Sequence, residues 1–129
     1  MFKDSQAFSS FSVDDVDAAR AFYGDKLGLD IEMTPMGFLE LKLGTGQHIN
    51  VYDKPNHQPA TYTVLNFVVS DVEQAVDDLT AAGVKMEHYN MPEIKQDAKG
   101  IARDGRGPAI AWFKDPAGNV IAVMELPQQ

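Results

Sequence analysis

The side chains best suited to acid–base chemistry in this sequence are His48 and Glu40. They occupy polar positions in two alternating segments, LELKL at residues 39–43 and HINVYD at residues 48–53, so parity places both on one face of neighbouring strands. A histidine can accept and release a proton near neutral pH. Four roles stay open for His48: a general base, a polar contact to a bound ligand, a metal ligand together with Glu40, and a partly exposed position with no chemical role.

Composition limits the partners of the chain. The 129 residues include no cysteine, which rules out disulfides, thiolate nucleophiles and cysteine metal ligands. A net charge of -8 disfavours nucleic acid and anionic membranes and would suit a cationic ligand. No run approaches the roughly 18 apolar residues of a membrane span, and the first residues lack the apolar segment of a signal peptide. We expect a cytoplasmic protein with a small-molecule partner and no nucleic-acid or membrane partner.

Residues 111–126, AWFKDPAGNVIAVMEL, predict a hairpin that positions a second candidate side chain. The turn residues DPAGN separate two apolar runs that are typical of strands. Trp112, the sole tryptophan, lies in the first of these strands. It either stacks on a ligand or belongs to the core.

An internal repeat organises the rest of the chain. FVVSDVEQA at residues 67–75 repeats FSVDDVDAA at residues 11–19, and GNVIAVM at residues 118–124 repeats GQHINVY at residues 46–52. Asp14 or Asp15 can cap a helix that ends near residues 24–28. Each half therefore predicts a βαβββ module: module 1 at about 6–53, a linker at 54–61 and module 2 at about 62–127.

The second module contains a long irregular stretch. VKMEHY at residues 84–89 predicts a strand, whereas residues 90–107 contain proline and glycines and no periodicity. Within that stretch Arg103 and Arg106 either remain solvated or close over an anionic ligand as part of a flap.

These residues resemble the glyoxalase / bleomycin-resistance / extradiol-dioxygenase superfamily, also called the vicinal oxygen chelate (VOC) superfamily. The resemblance rests on the two strand–Asp–Val–helix starts, on FYGDKLGL at residues 22–29 and on DPAGN at residues 115–119. It implies an α+β fold, in a single VOC domain over residues 1–129, whose two modules form a cupped mixed sheet. The helices would lie on the convex face and a ligand cavity on the concave face. The resemblance also implies a homodimer.

Metalloenzymes of that superfamily carry histidine or glutamate at four cavity positions. The resemblance places Phe8, Asn50, Val64 and Ala122 at these positions. Three of these side chains have no donor atom, and one amide oxygen cannot hold a metal ion alone. We therefore predict no metal and no cofactor, and glyoxalase I or dioxygenase chemistry of the usual kind is not expected.

Parity and the implied fold together predict a mixed apolar and polar cavity wall, of the kind that suits a small organic ligand. The predicted ligand-binding residues are Phe8, Ser10, Phe38, His48, Asn50, Tyr52, Asn66, Trp112 and Ala122, and the same wall includes Ser12, Glu40, Val64, Val68 and Ile110.

Three functional hypotheses follow. The first is a metal-free protein that binds a small organic molecule and could sequester an antibiotic or a metabolite. The second is a lyase or isomerase in which His48 or Glu40 moves a proton. The third is an enzyme, of dioxygenase type for example, that holds a metal through His48, Glu40 and a further carboxylate. Whether the chain is an enzyme stays open, and binding is the favoured hypothesis.

Overall fold

The structure, a computed structural model, describes residues 1–103 and 107–126. The chain divides into two compact units, Met1–Gln58 and Pro59–Gln129. Among the described residues, no helix has both the length and the apolar character needed to cross a membrane. The fold is α+β, as predicted, with one sheet in each unit.

The first unit contains a four-stranded sheet of order β1-β4-β3-β2. Strand β1 runs parallel to β4, and the other pairs are antiparallel. A helix connects β1 to β2 and continues from α-helical into π-helical geometry. The elements are β1 (Ser9–Val13), α1 (Val16–Arg20), a π-helical segment (Ala21–Lys26), β2 (Asp30–Met33), β3 (Leu39–Lys42) and β4 (His48–Asp53).

The first helix begins and ends near the predicted residues. Asp15 is the cap, because its side chain accepts a hydrogen bond from the Ala18 amide. In the π-helical segment the Leu27 amide donates to the Phe22 carbonyl, a spacing of five residues. Both Phe22 and Tyr23 are buried there, whereas a 3.6-residue periodicity would place only one of two adjacent residues at the centre of the core face.

The second unit contains a three-stranded sheet of order β5-β7-β6, and one helix. Asp71 caps this helix by accepting from the Gln74 amide, in the same way that Asp15 caps the first helix. The elements are β5 (Thr63–Val68), α2 (Val72–Ala81), β6 (Ala109–Lys114) and β7 (Val120–Glu125).

The strand predicted at residues 84–89 is wrong in extent. Within the described residues, its backbone pairs with β6 through an isolated bridge between Met86 and Phe113 and through a 2.8 Å hydrogen bond from the Glu87 amide to the Trp112 carbonyl. The reason is the Gln96 side chain, which donates to the Glu87 carbonyl at 2.9 Å and accepts from the Tyr89 amide at 2.6 Å. These backbone groups therefore pair with a side chain and not with a strand.

Strand pairing shows the internal repeat directly. In the first sheet Ser10, Asn50 and Glu40 form one cross-strand row. In the second sheet the repeat-related residues, Asn66, Ala122 and Trp112, form the equivalent row. On β3, β4 and β6 the alternate positions Leu39, Leu41, Val51 and Phe113 are fully buried, in agreement with the predicted core face. On β7 the alternation is absent, because all four residues from 120 to 123 are buried.

Candidate functional site

The second face of the first sheet brings His48 and Glu40 together, as the alternation predicts. The His48 Nδ1 and Glu40 Oε1 atoms are 3.1 Å apart, and the side chains are 49% and 22% exposed. Glu40 on β3 lies opposite Asn50 on β4. His48 is two residues before Asn50 and therefore on the same face, which brings it diagonally next to Glu40. A half-exposed imidazole beside a more buried carboxylate can accept a proton from a bound molecule.

Other predicted wall residues lie on the same sheet or next to it. Ser10 lies beside Asn50 on β1, and the Phe38 and Tyr52 rings contact edge to face at 6.3 Å between centroids. Phe8 precedes β1 and is 69% exposed. The first sheet thus presents a face that carries both polar groups and aromatic rings.

A Lys42–Glu32 ion pair of 2.5 Å lies at the β2 edge of this face. A hydrogen bond from Lys42, and then its charge, hold the pKa of the Glu32 carboxyl below its usual value. Glu32 belongs to the same cross-strand row as Glu40 and Asn50. Glu32 is thus paired with Lys42, and Glu40 is the carboxylate in contact with His48.

A second histidine is anchored in a way that sequence reasoning missed. His57 lies within the predicted linker 54–61, and its Nδ1 atom is 2.6 Å from the Ser12 hydroxyl. The turn that carries it is fixed by bonds from the His57 amide to the Lys54 carbonyl and from the Lys54 amide to the Val13 carbonyl, both 2.9 Å. Hydrogen bonds therefore hold residues 54–57 to the first unit.

The second unit contains a cavity of about 510 Å³ beside Trp112. The tryptophan is half-buried on the face of β6 that points away from the core. Apolar side chains and prolines form most of the wall, and charged residues complete it. The lining residues are Pro92, Glu93, Ile94, Lys95, Ala102, Arg103, Pro108, Ile110 and Trp112.

A smaller cavity, of about 180 Å³, shares Ile94 and Trp112 with the larger one as lining residues. Tyr89 lines the smaller one and contacts Trp112 edge to face, with 5.4 Å between ring centroids. Burial, followed by the negative charge of Glu87, raises the pKa of the Tyr89 hydroxyl. Tyr89 therefore stays protonated and available as a hydrogen-bond donor at physiological pH.

Gln96 holds the loop that forms the cavity wall. In addition to its bonds to residues 87 and 89, its side-chain amide donates to the Gly100 carbonyl at 2.8 Å. One side chain thus ties three backbone positions together on either side of residues 92–95. No local sequence pattern predicts this role of Gln96, because its hydrogen-bond partners lie up to nine residues away.

Asp97 organises the next turn. Its Oδ1 atom accepts from the Lys99 and Ile101 amides, and its Oδ2 atom accepts from Arg103 Nη1 at 3.0 Å. Burial works to raise the pKa of this carboxyl, but the two amides and Arg103 together keep the pKa below its usual value. The second arginine of the predicted flap, Arg106, lies outside the described residues.

Comparison with known proteins decides the family. A model of the Glyoxalase/Bleomycin resistance protein/Dioxygenase superfamily matches residues 7–123. The chain belongs to this superfamily. The match confirms the family resemblance of this glyoxalase-superfamily chain, and it extends from residue 7, before β1, to residue 123, within β7.

Solved structures with the same fold have different described roles. A glyoxalase family protein from Bacillus anthracis superposes with a TM-score of 0.72 at 23% identity, covering 98% of this chain and 100% of that one. Lactoylglutathione lyase from Agrobacterium tumefaciens gives 0.67 at 24%, covering 94% and 93%. TnmS3, an antibiotic binding protein from Streptomyces sp. CB03234, gives 0.67 at 22%, covering 96% and 98%. No curated protein matches the chain.

The residues that the family resemblance places at metal-ligand positions do not fit a metal ion. Phe8, Val64 and Ala122 offer no donor atom, and Ala122 is fully buried between Asn66 and Trp112 in its row. Across residues 1–103 and 107–126, no three histidine, aspartate or glutamate side chains cluster in a way that could hold an ion. The His48–Glu40 pair thus gains no third ligand from the described part of the chain.

Proposed function

We propose that this superfamily member binds a small organic molecule in the cavity beside Trp112. The observation that carries the proposal is the position of the tryptophan, half-buried on the outer face of β6 between two cavities. A volume of about 510 Å³ lies within the roughly 300–1,000 Å³ of small-molecule sites. The indole ring offers a flat apolar surface on which a ligand ring can stack.

The smaller cavity supports a ligand with a ring. An apolar cavity of about 150 Å³ is known to be large enough for one benzene molecule, and the space lined by Tyr89, Met91 and Ile94 is about 180 Å³. A ligand in contact with Ile94 and Trp112 would therefore place a ring in the smaller cavity and its remaining groups in the larger one. The described role of TnmS3, an antibiotic binding protein of the same fold, is consistent with sequestration of such a molecule.

A screen of aromatic antibiotics and aromatic metabolites tests the proposal. Trp112 is the sole tryptophan, so its emission reports on the cavity without interference from a second indole. We expect at least one compound to quench or blue-shift that emission and to raise the melting temperature. A compound at about 100 times its dissociation constant should add about 2.7 kcal/mol to the free energy of unfolding. Flat emission and an unchanged melting temperature throughout the screen would contradict the proposal.

A second candidate function rests on the 3.1 Å His48–Glu40 contact. We infer that this pair could remove a proton from carbon beside a carbonyl group, the step that a metal-free lyase or isomerase needs. The carboxylate would stabilise the imidazolium formed when His48 accepts the proton. The described activity of the Agrobacterium tumefaciens neighbour, a lyase, is compatible with such a step.

Exchange of carbon-bound hydrogen in heavy water tests the second candidate without knowledge of the substrate. With hydroxyacetone as the probe, we expect the chain to accelerate exchange at the carbon atoms beside the carbonyl, and His48→Gln to lower the rate by about 100-fold or more. His88→Gln, which removes an exposed histidine of the second unit, is the matched control. Equal rates for the unmodified chain and His48→Gln would remove this candidate.

A further inference from the structure

The charged part of the wall around the 510 Å³ cavity indicates which class of molecule it takes. Three charged side chains line the cavity: Glu93, Lys95 and Arg103. Two of the three are cationic, although the chain as a whole carries a net charge of -8. Cationic side chains therefore outnumber acidic ones on the cavity wall, whereas acidic residues outnumber cationic ones in the chain as a whole.

The two cations have unused hydrogen-bonding capacity within the described residues. A guanidinium group has five N–H donors, and Asp97 accepts from one nitrogen of Arg103, at 3.0 Å. Lys95 makes no hydrogen bond or ion pair with any residue of 1–103 and 107–126, and it offers three further donors. These donors lie along the same wall as the indole ring of Trp112.

From this arrangement we propose that the cavity selects an aromatic anion, a ring that bears a carboxylate, sulfonate or phosphonate group. The inference rests on the proposed function and adds the charge of the ligand to it. The ring packs against Trp112, Ile94 and Ile110, and the anionic group accepts hydrogen bonds from Lys95 and Arg103. This selection runs opposite to the cationic ligand that the net charge of the chain suggests.

Asp97 limits the strength of the proposed anion site, because its carboxylate competes for Arg103. Its two oxygens have separate roles: Oδ1 accepts from the Lys99 and Ile101 amides, and Oδ2 accepts from Arg103. Asp97→Asn keeps an oxygen for the two amides and removes the negative charge. The variant should therefore preserve the turn and strengthen the interaction of Arg103 with an anion.

A series of three naphthalene compounds with one ring system tests the proposal. The compounds are naphthalene-2-sulfonate, which is anionic, naphthalene-2-sulfonamide, which is uncharged, and naphthalen-2-ylmethylammonium, which is cationic. The indole N–H resonance of Trp112, a single signal in a nitrogen–proton correlation spectrum, gives the dissociation constant of each. We expect the sulfonate to bind about tenfold more tightly than the sulfonamide, as two partly exposed charge contacts would provide.

Variants locate the charge preference. Lys95→Gln and Arg103→Gln should each weaken sulfonate binding about threefold to fivefold and leave sulfonamide binding within twofold. Asp97→Asn should strengthen sulfonate binding about twofold to threefold. Lys85→Gln, the same loss of charge at an exposed residue of the second unit that does not line the cavity, is the control. It should change none of the three constants.

The outcomes separate this inference from the proposed function. If the sulfonamide and the sulfonate bind equally and the lysine and arginine variants bind both as the unmodified chain does, the anion preference is wrong and binding at Trp112 stands. If the ammonium compound binds best and Glu93→Gln weakens it, the ligand is cationic and the inference is overturned. If none of the three compounds shifts the Trp112 resonance, the anion inference fails for this ring system, and the outcome of the broader screen decides the proposed function.

Discussion

Replacing Asp115 with alanine should lower the free energy of unfolding by about 3 to 4 kcal/mol. Asp115 is 5% exposed, and its carboxylate accepts hydrogen bonds from the Ala117 amide, the Asn119 amide and the Asn119 side chain, at 2.8 to 3.0 Å. Each hydrogen bond to a charged acceptor contributes about 1.5 to 3 kcal/mol, and its removal leaves buried donors unpaired. The melting temperature should fall by roughly 10–15 °C for a chain of this length.

Asp71→Ala provides a matched control for the Asp115 prediction. Asp71 also accepts a backbone amide hydrogen bond, from Gln74, but it is exposed to solvent. Loss of a helix cap costs about 1 kcal/mol. Chemical denaturation of both variants should therefore separate them by about 2 kcal/mol or more. Equal destabilisation would contradict the account of the turn between β6 and β7 as a buried carboxylate network.

Replacing Trp112 with leucine should weaken binding of naphthalene-2-sulfonamide by about 100-fold. Leucine keeps an apolar side chain but removes the flat ring, and central aromatic side chains of a site commonly carry 2 kcal/mol or more of the binding free energy. Because the substitution removes the fluorescent residue, calorimetry is the suitable measurement. Trp112→Phe keeps a smaller ring and should bind about tenfold more tightly than Trp112→Leu.

Two controls accompany the Trp112 variants. Phe2→Leu removes an aromatic ring that is 77% exposed and lies in the first unit, so its dissociation constant should match that of the unmodified chain. Melting curves should show that Trp112→Leu remains folded, since the side chain is half-buried and its edge-to-face partner is the single ring of Tyr89. Unchanged affinity in Trp112→Leu would contradict the placement of the ligand beside this residue.

The alternation of apolar and polar residues was enough to predict the candidate pair in the first unit. On a strand, parity fixes which face a residue occupies, and Leu39, Leu41 and Val51 identify the core face without ambiguity. The opposite face must then carry Glu40 and His48, and the turn between the strands brings them within 3.1 Å. The same argument placed Trp112 on the outer face of β6.

The cavity wall in the second unit could not be predicted in this way. Its loop has no periodicity, and its shape depends on Gln96, whose side chain bonds to the backbone at residues 87, 89 and 100. A glutamine with such contacts has the same local sequence signature as a solvated one. Residues 84–89 were predicted as a full strand for the same reason. Strand propensity does not show which backbone groups will hydrogen-bond to a distant side chain such as Gln96.

A crystal structure of the chain with the tightest compound from the aromatic screen tests the central claim most directly. We predict that the compound lies against the indole ring of Trp112 and contacts Ile94 and Ile110. If instead the compound lies on the first sheet beside His48 and Glu40 and leaves the second unit untouched, the account of a binding site organised by Trp112 is contradicted.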